Sequence, residues 1–333
     1  MKRKKKRTSS VNIREVLSKV WKNAPIIITC TILAAGLCLV ALMQSGVIGE
    51  KDIENVSLLF EGQKITDDYK PDDSDDLCVS FIDVGQGDCI LIESEKTVLI
   101  DCGENDCYNK VSSFLKSRGV EKIDILIATH QHTDHMGCMA KIVDDHEIGR
   151  IVMPKPPADL VPPTRAYEAL LYSVNDKGLR FTAAQTGYIY KLGSADDAPK
   201  LTILAPLPDD DFDDLNDYSV VCRLDYRKRS FLFTGDLTEK GEKALLGRNA
   251  DIKADVLKVG HHGSAHSSSR EFLAKVRPGI AVISVGEQND YGHPAEEAVK
   301  RLERYAEVIT TAENGDISIY TDGRKMTVVV QKS

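Results

Sequence analysis

Ile123-Asp124-Ile125-Leu126-Ile127-Ala128-Thr129-His130-Gln131-His132-Thr133-Asp134-His135 joins an apolar run directly to three histidines and an aspartate. Its opening residues form a nearly continuous apolar run, the composition of a strand covered on both faces of a sheet. The chain then changes character at once. His130 and His132 alternate in an extended segment, so their imidazoles can point to one side and meet one metal ion. Asp134 and His135 follow where the chain would enter a helix, and can serve a second ion nearby. Imidazole nitrogen and carboxylate oxygen are the ligand types zinc takes when it keeps a position open for water. A single histidine at a strand end is usually structural. Four potential ligands within six residues, at the mouth of a buried strand, are not explained that way. Left uncompensated, such a cluster would be costly to fold.

Outward from the cluster the pattern is that of a mixed α/β domain. Upstream, residues 78–82 and 89–92 read as strands joined by a tight turn, Asp83-Val84-Gly85-Gln86-Gly87-Asp88. A third strand over 97–100 ends at Asp101-Cys102-Gly103, and a helix follows around 110–117. Downstream, a helix over 165–175 precedes strands near 200–204, 220–225, 230–233 and 255–259. Ser268 and Glu271 then suit the capping box of another helix. A strand over 280–285, a helix over 295–305 and three closing strands complete the chain. Early strand pairs and later strand–helix alternation predict sheets layered with helices.

The 333 residues carry a formal net charge of -8, unevenly spread. Residues 1–24 are basic, beginning Lys2-Arg3-Lys4-Lys5-Lys6-Arg7, and are read as a cytoplasmic tail. No charge occurs between Lys22 and Glu50, and residues 25–44 are apolar on all sides, long enough to span a bilayer. The flanking positive charge predicts a single-pass anchor with everything after it outside the cytoplasm. A cleaved signal peptide is the alternative, but Leu42-Met43-Gln44-Ser45-Gly46 is a poor cleavage site. Residues 45–76 turn acidic and read as a solvated linker, leaving 77–333 as the folded domain. Outside the cytoplasm a disulfide is possible, with Cys102 and Cys107 the nearest pair; the other cysteines lie in apolar runs and read as small buried residues.

The histidine cluster resembles the signature of the metallo-β-lactamase fold, an αββα sandwich with its metals at one edge between the sheets. Further motifs, in order, are Phe81-Ile82-Asp83-Val84-Gly85-Gln86-Gly87-Asp88, Leu99-Ile100-Asp101-Cys102-Gly103, and Asn216 with Ser219-Val220-Val221. Phe233-Thr234-Gly235-Asp236, Lys258-Val259-Gly260-His261-His262-Gly263-Ser264 and Asn289-Asp290-Tyr291-Gly292-His293-Pro294 follow. Together they are similar to the hydrolase domain of ComEC-type competence proteins, from about Leu77 to the C-terminus. The resemblance implies two divalent metal ions, zinc or manganese. It implies that Asp236 bridges them and that His262 completes one shell with Asp134 and His135, while His130 and His132 hold the other ion. It implies that His261 and His293 face the substrate and that Asp83, Asp101 and Ser264 support the ligands. The fold's usual third histidine on the first metal has no candidate except His146, which follows the cluster too closely.

Two adjacent metals suit phosphodiester cleavage, and also ester or lactam hydrolysis. The expected activity is a membrane-anchored, extracytoplasmic phosphodiesterase or nuclease, with Asp134, His261 and His293 as the residues that carry the chemistry. An esterase acting on cell-wall polymer or choline phosphate is the alternative, and a silent binding domain of a membrane complex the non-enzymatic one. The expected partners are the lipid bilayer through residues 25–44 and a phosphodiester substrate, DNA or cell-wall polymer; no protein partner is predictable. An acidic body opposes non-specific binding to a polyanion. Arg223, Arg227, Lys228 and Arg229 are the dense basic patch past the anchor, a candidate exception.

Overall fold

The computed structural model describes residues 76–331; the expected tail, anchor and nearly all of the linker lie outside them. No helix among the described residues is long and apolar enough to cross a membrane.

The first half contributes β1 (Leu77–Phe81), β2 (Ile90–Glu93), β3 (Thr97–Ile100), α1 (Tyr108–Ser117), β4 (Lys122–Ile123) and β5 (Ile125–Ile127). Then come α2 (Thr133–Met136), α3 (Met139–Asp145), β6 (Glu147–Ile148), β7 (Ile151–Met153), α4 (Arg165–Asp176) and β8 (Phe181–Ala183). The second half adds β9 (Ile189–Lys191), β10 (Lys200–Ala205), β11 (Val221–Tyr226), β12 (Arg229–Phe233), α5 (Glu239–Gly247), β13 (Val256–Lys258) and α6 (Arg270–Val276). It closes with β14 (Ile280–Ile283), α7 (Glu296–Leu302), β15 (Glu307–Thr310), α8 (Thr311–Asn314), β16 (Asp316–Thr321) and β17 (Met326–Gln331).

Period-two alternation sorts these strands into layers. In β3, Val98 and Ile100 face one cluster while Leu99 faces another; in β12, Phe231 and Phe233 divide from Leu232 in the same way. The first set, joined by Val79, Phe81, Val256 and Val282, fills the space between two sheets. One sheet runs β17-β16-β1-β2-β3-β5-β7-β8, the other β15-β14-β13-β12-β11-β10-β9. Leu91, Leu99 and Leu126 pack outward on helix residues Val111, Leu115, Met139 and Leu170; Leu257 and Ala281 do so on Leu245, Phe272 and Leu302. The result is the four-layered αββα sandwich. The central strands β1, β5, β13 and β14 are buried on both faces, which is why they read as apolar runs.

The core positions the site through parallel pairing. β3 with β5, and β12 with β13 and β14, run parallel, so the carboxyl ends of neighbours lie side by side. Asp101 follows β3, His130 follows β5, Asp236 follows β12, His261 and His262 follow β13, and Ser284 follows β14. Loops beyond the carboxyl ends of parallel strands are where such sheets gather ligands.

Three local expectations are corrected. The run 123–129 is split at Asp124, whose carboxylate accepts the Thr97 N–H at 3.0 Å: β4 pairs with β6 in a small sheet of its own, and β5 joins the large one. Helix α6 is capped by Ser269, whose hydroxyl accepts from the Phe272 N–H at 3.3 Å. Ser268 instead sits at φ 56° and donates its N–H to Glu242, so the Ser268–Glu271 capping box does not form. Cys102 and Cys107 are both free thiols, as are the other four described cysteines.

Candidate metal centre

The cluster is shaped by how β5 ends. The extended alternation carries past the strand, so Gln131 turns away from its neighbours and donates its side-chain amide to Pro154 O at 3.3 Å. His130 and His132 point together, with Nε2 of the first 3.0 Å from Nδ1 of the second. His132 O then accepts the N–H groups of His135 and Met136, starting α2 and folding Asp134 and His135 back toward the strand end.

Three of the candidate ligand imidazoles, His130, His135 and His262, are held by Nδ1, which turns Nε2 toward the centre. His135 Nδ1 lies 2.8 Å from Asp101 Oδ2, and a carboxylate can only accept, so Nδ1 carries the proton. His262 Nδ1 donates to Ser284 O at 2.9 Å for the same reason. The Thr129 hydroxyl donates to Asp101 Oδ2 at 2.6 Å, so at 3.1 Å it accepts from His130 Nδ1. Asp101 itself is fully buried and also accepts the Thr129 N–H at 2.7 Å. Outer partners of this kind set the tautomer of a metal-binding histidine.

The other half comes from the second sheet. Gly235, at φ 50°, turns the chain after β12, and the following N–H of Asp236 donates to Ser219 Oγ at 3.1 Å. After β13, His261 and His262 both occupy the left-handed region, φ 49° and 52°, a conformation costly for residues with a Cβ. That strain lets adjacent rings diverge. His262 is buried, whereas 28% of the His261 side chain remains exposed to the cleft.

The two halves meet closely. His135 Nε2 lies 3.2 Å from Asp236 Oδ2, and His262 Nε2 lies 3.4 Å from Asp236 Oδ1 and 3.3 Å from Asp134 Oδ2. His130 Nε2 is 3.9 Å from Asp236 Oδ2, so Asp236 stands between the His130–His132 pair and the other donors. Asp134, His135, Asp236 and His262 each offer an atom within 4.8 Å of the others. The electrostatics follow. Burial disfavours charge on His262, but the Asp236 and Asp134 carboxylates outweigh it and push the ring up to about 10. His135 rises likewise against burial, through Asp236, Asp134 and Asp101. Burial opposes the Asp236 charge too, yet His135 and His262 hold it well below the usual range. Asp134 is lowered by the same two rings against its own burial. His130, His261 and His293 are lowered chiefly by burial, and so are neutral imidazoles.

A cleft of about 330 Å³ opens on these donors, lined by Gln86, Glu104, His132, Asp134, Asn216, Asp236, His261, His262, Tyr291 and His293 among others. The His293 ring meets His261 edge-on, centroids 5.6 Å apart, and stacks on Tyr291 at 6.0 Å.

Of the expected residues, Asp83 is not part of this assembly. Its carboxylate binds Lys110 Nζ at 2.9 Å and the Gly85 N–H at 3.0 Å, bracing the loop from outside. Ser264 closes the turn after the histidine doublet, its N–H on His261 O at 2.8 Å, and touches no ligand nitrogen. His146 holds Ile142 O at 3.2 Å on α3 and is not in the cleft. The basic patch is neutralised in place: Arg223 binds Asp225 and Asp251, and Arg227 binds Asp197 and Asp76. Arg227 and Lys228 form the β11–β12 hairpin turn, at the end of β12 opposite Asp236, while Arg223 lies within β11, paired with Leu232.

Two residues that sequence reasoning missed lie directly beneath the ligands. Asp88 Oδ2 meets Lys258 Nζ at 2.8 Å, both essentially buried, while Asp88 Oδ1 stands 3.5 Å from His262 Nδ1. The signal was present: a lysine inside the apolar run Val256-Leu257-Lys258-Val259 must have a buried partner.

The donor set suits divalent metal. His135 Nε2, His262 Nε2 and Asp236 Oδ1 are buried without a hydrogen-bond partner and converge, a costly arrangement that a cation would satisfy. Residues 82–287 match the family model of the Metallo-beta-lactamase superfamily. ComE operon protein 3 of Bacillus subtilis is 30% identical over 263 residues, 72% of this chain and 32% of its own length. Competence protein ComA of Neisseria gonorrhoeae is 31% identical over 242 residues, 70% of this chain and 31% of its own. The chain thus spans about a third of the length of these curated relatives. Among solved structures, Tm1679, a metal-dependent hydrolase of the beta-lactamase superfamily, aligns with TM-score 0.45 and 14% identity, covering 72% of this chain and 98% of its own. From the layered sheets, the converging donors and the matched span, the chain belongs to the metallo-β-lactamase superfamily and is similar to ComEC-type proteins.

Proposed function

We propose that this hydrolase cleaves a phosphodiester outside the cytoplasm, from a body anchored in the membrane by residues 25–44. The observation that carries the reading is a cleft floored by converging donor atoms and flanked by two neutral imidazoles, His261 and His293. Two divalent ions, zinc or manganese, held by His130, His132, Asp134, His135, Asp236 and His262, would supply an activated water and offset charge on the attacking and leaving oxygens. Asp101, Thr129 and Ser284 keep the ligand rings in the tautomer that frees their inner nitrogens. Asp134, half in the cleft, orients the attacking group. His261 or His293, uncharged at neutral pH, would take the proton released by the attacking water and, as the imidazolium so formed, pass it to the leaving oxygen.

The cleft lining favours a particular diester. Among the described residues that line it there is no lysine or arginine, and Glu104, Asp134 and Asp236 are all acidic. A singly charged diester such as a choline-phosphate ester suits that lining better than a long polyanion, so the wall-esterase reading stands beside the nuclease one. The test uses the full-length chain. Its metal content is measured, and hydrolysis is assayed on a generic phosphodiester, single-stranded DNA and a choline-phosphate ester. Less than one metal per chain with no hydrolysis of any of these would end the enzymatic reading. Cleavage of DNA alone would select the nuclease.

A further inference from the structure

We propose that the buried Asp88–Lys258 ion pair is a clamp joining the two halves of the metal centre, and that it sets the affinity of the position formed by Asp134, His135, Asp236 and His262. The inference rests on the two-ion reading above.

Asp88 lies in the loop between β1 and β2 and is tied to the loop that carries the ligands of its own sheet and to the loop that carries Asp101. Its N–H donates to Asp134 O at 3.2 Å, and its carbonyl accepts the Gly103 N–H at 2.9 Å, beside the Cys102 N–H that bonds His135 O at 2.7 Å. Across the sandwich, its Oδ2 takes Lys258 Nζ at 2.8 Å, at the end of β13, whose chain continues directly into the histidine doublet. Its Oδ1 has no hydrogen-bond partner and stands 3.5 Å from His262 Nδ1, while Oδ2 is 4.0 Å from His135 Nδ1. One carboxylate therefore touches both sheets and faces both rings.

Asp88, Asp101 and His135 also have the spacing of a small cation site. The protein supplies that cation itself. The Lys258 ammonium, 0% exposed, neutralises Asp88 and donates onward to Val259 O at 2.8 Å. A pair this deep contributes little net stability, because desolvation of both ions offsets their attraction. What it does contribute is geometry. The His135 half and the His262 half come from different sheets, and the described hydrogen bonds give Asp88 a direct hold on each.

The experiment titrates Zn²⁺ into metal-free full-length protein by calorimetry, for wild type, Lys258→Met, Asp88→Asn and the double variant, with a thermal melt of each metal-free protein. Wild type should show two equivalents. In the variants one equivalent should weaken about 10- to 100-fold, as losses of outer partners do. The other should be unchanged and should disappear on adding His132→Ala. The double variant separates clamp from charge balance. It should melt like wild type, having no unpaired buried charge, while its second equivalent stays weak. If Lys258→Met does not fold, the double variant carries the test. A double variant that regains wild-type affinity, equal weakening of both equivalents, or no weakening would overturn the clamp. If wild type itself lacks two equivalents, the two-ion reading falls and takes the clamp with it; two equivalents with unaffected variants sink the clamp alone.

Discussion

Replacing Asp101 by asparagine changes one hydrogen-bonding role and almost no volume. In the wild type, Asp101 Oδ1 accepts the Thr129 N–H at 2.7 Å, and Oδ2 accepts the Thr129 hydroxyl at 2.6 Å and His135 Nδ1 at 2.8 Å. An asparagine can keep its oxygen on the Thr129 N–H, which places its NH₂ where Oδ2 was, facing two donors. His135 then relaxes by moving its proton to Nε2, the nitrogen that faces Asp134 and Asp236. A hydrogen bond to a charged acceptor contributes about 1.5–3 kcal/mol. At 1.4 kcal/mol per decade, Asp101→Asn should weaken metal binding by about 10- to 150-fold. Stability should move the other way or barely at all, because burial already raises the Asp101 carboxyl and a neutral amide avoids that desolvation. Calorimetric titration of metal into the metal-free variant, beside its thermal melt, measures both. Unchanged metal affinity in a folded Asp101→Asn protein would refute the tautomer argument.

Three other outcomes follow from the same geometry. Gly87 has φ 130°, and a Cβ there would lie 2.2 Å from Asp134 O, so Gly87→Ala should displace Asp134, cost about 1–3 kcal/mol and lower metal content; normal metal content in a folded variant contradicts the close approach. Asp134→Ala should reduce hydrolysis of a generic phosphodiester to background with the melt near wild type, and retained turnover means the site is misassigned. The third outcome concerns pH. His262 rises from an ordinary 6.5 to about 10, so its stabilising charge is fully present below about pH 6.5 and is lost as pH climbs toward 10. Metal-free protein should therefore melt lower across that window. Metal requires neutral rings, so binding at pH 7 should release protons, read with an indicator dye; rising melting temperatures or no release would contradict this.

What could be read in advance depended on range. His130, His132, Asp134 and His135 were legible because strand alternation and the turn into α2 are local, and the structure brings them together as their spacing implies. Asp236 and His262 were reached through family likeness, and in the structure they lie against the cluster. Asp83 was misjudged beside Asp88. Gly85 and Gly87, at φ 71° and 130°, reverse the chain between them, so spacing carries no information about which carboxylate points inward. The basic patch looked like a surface for polyanions only while its aspartate partners, distant in sequence, were out of view.

Residues 123–135 carry the signal of a buried strand ending in metal-ligand chemistry, and the alternating runs around them carry that of layered sheets, because both properties are set by neighbours along the chain. The meeting of the two sheets adds Lys258 as the cation beneath the donors; it also sets Asp236 between the two groups and turns His262 rather than His261 inward, placements that family likeness implied and local pattern did not. Those facts depend on the parallel register of β12, β13 and β14 and on two sheets meeting across one core, and such long-range contacts leave no periodic trace in the order of the residues.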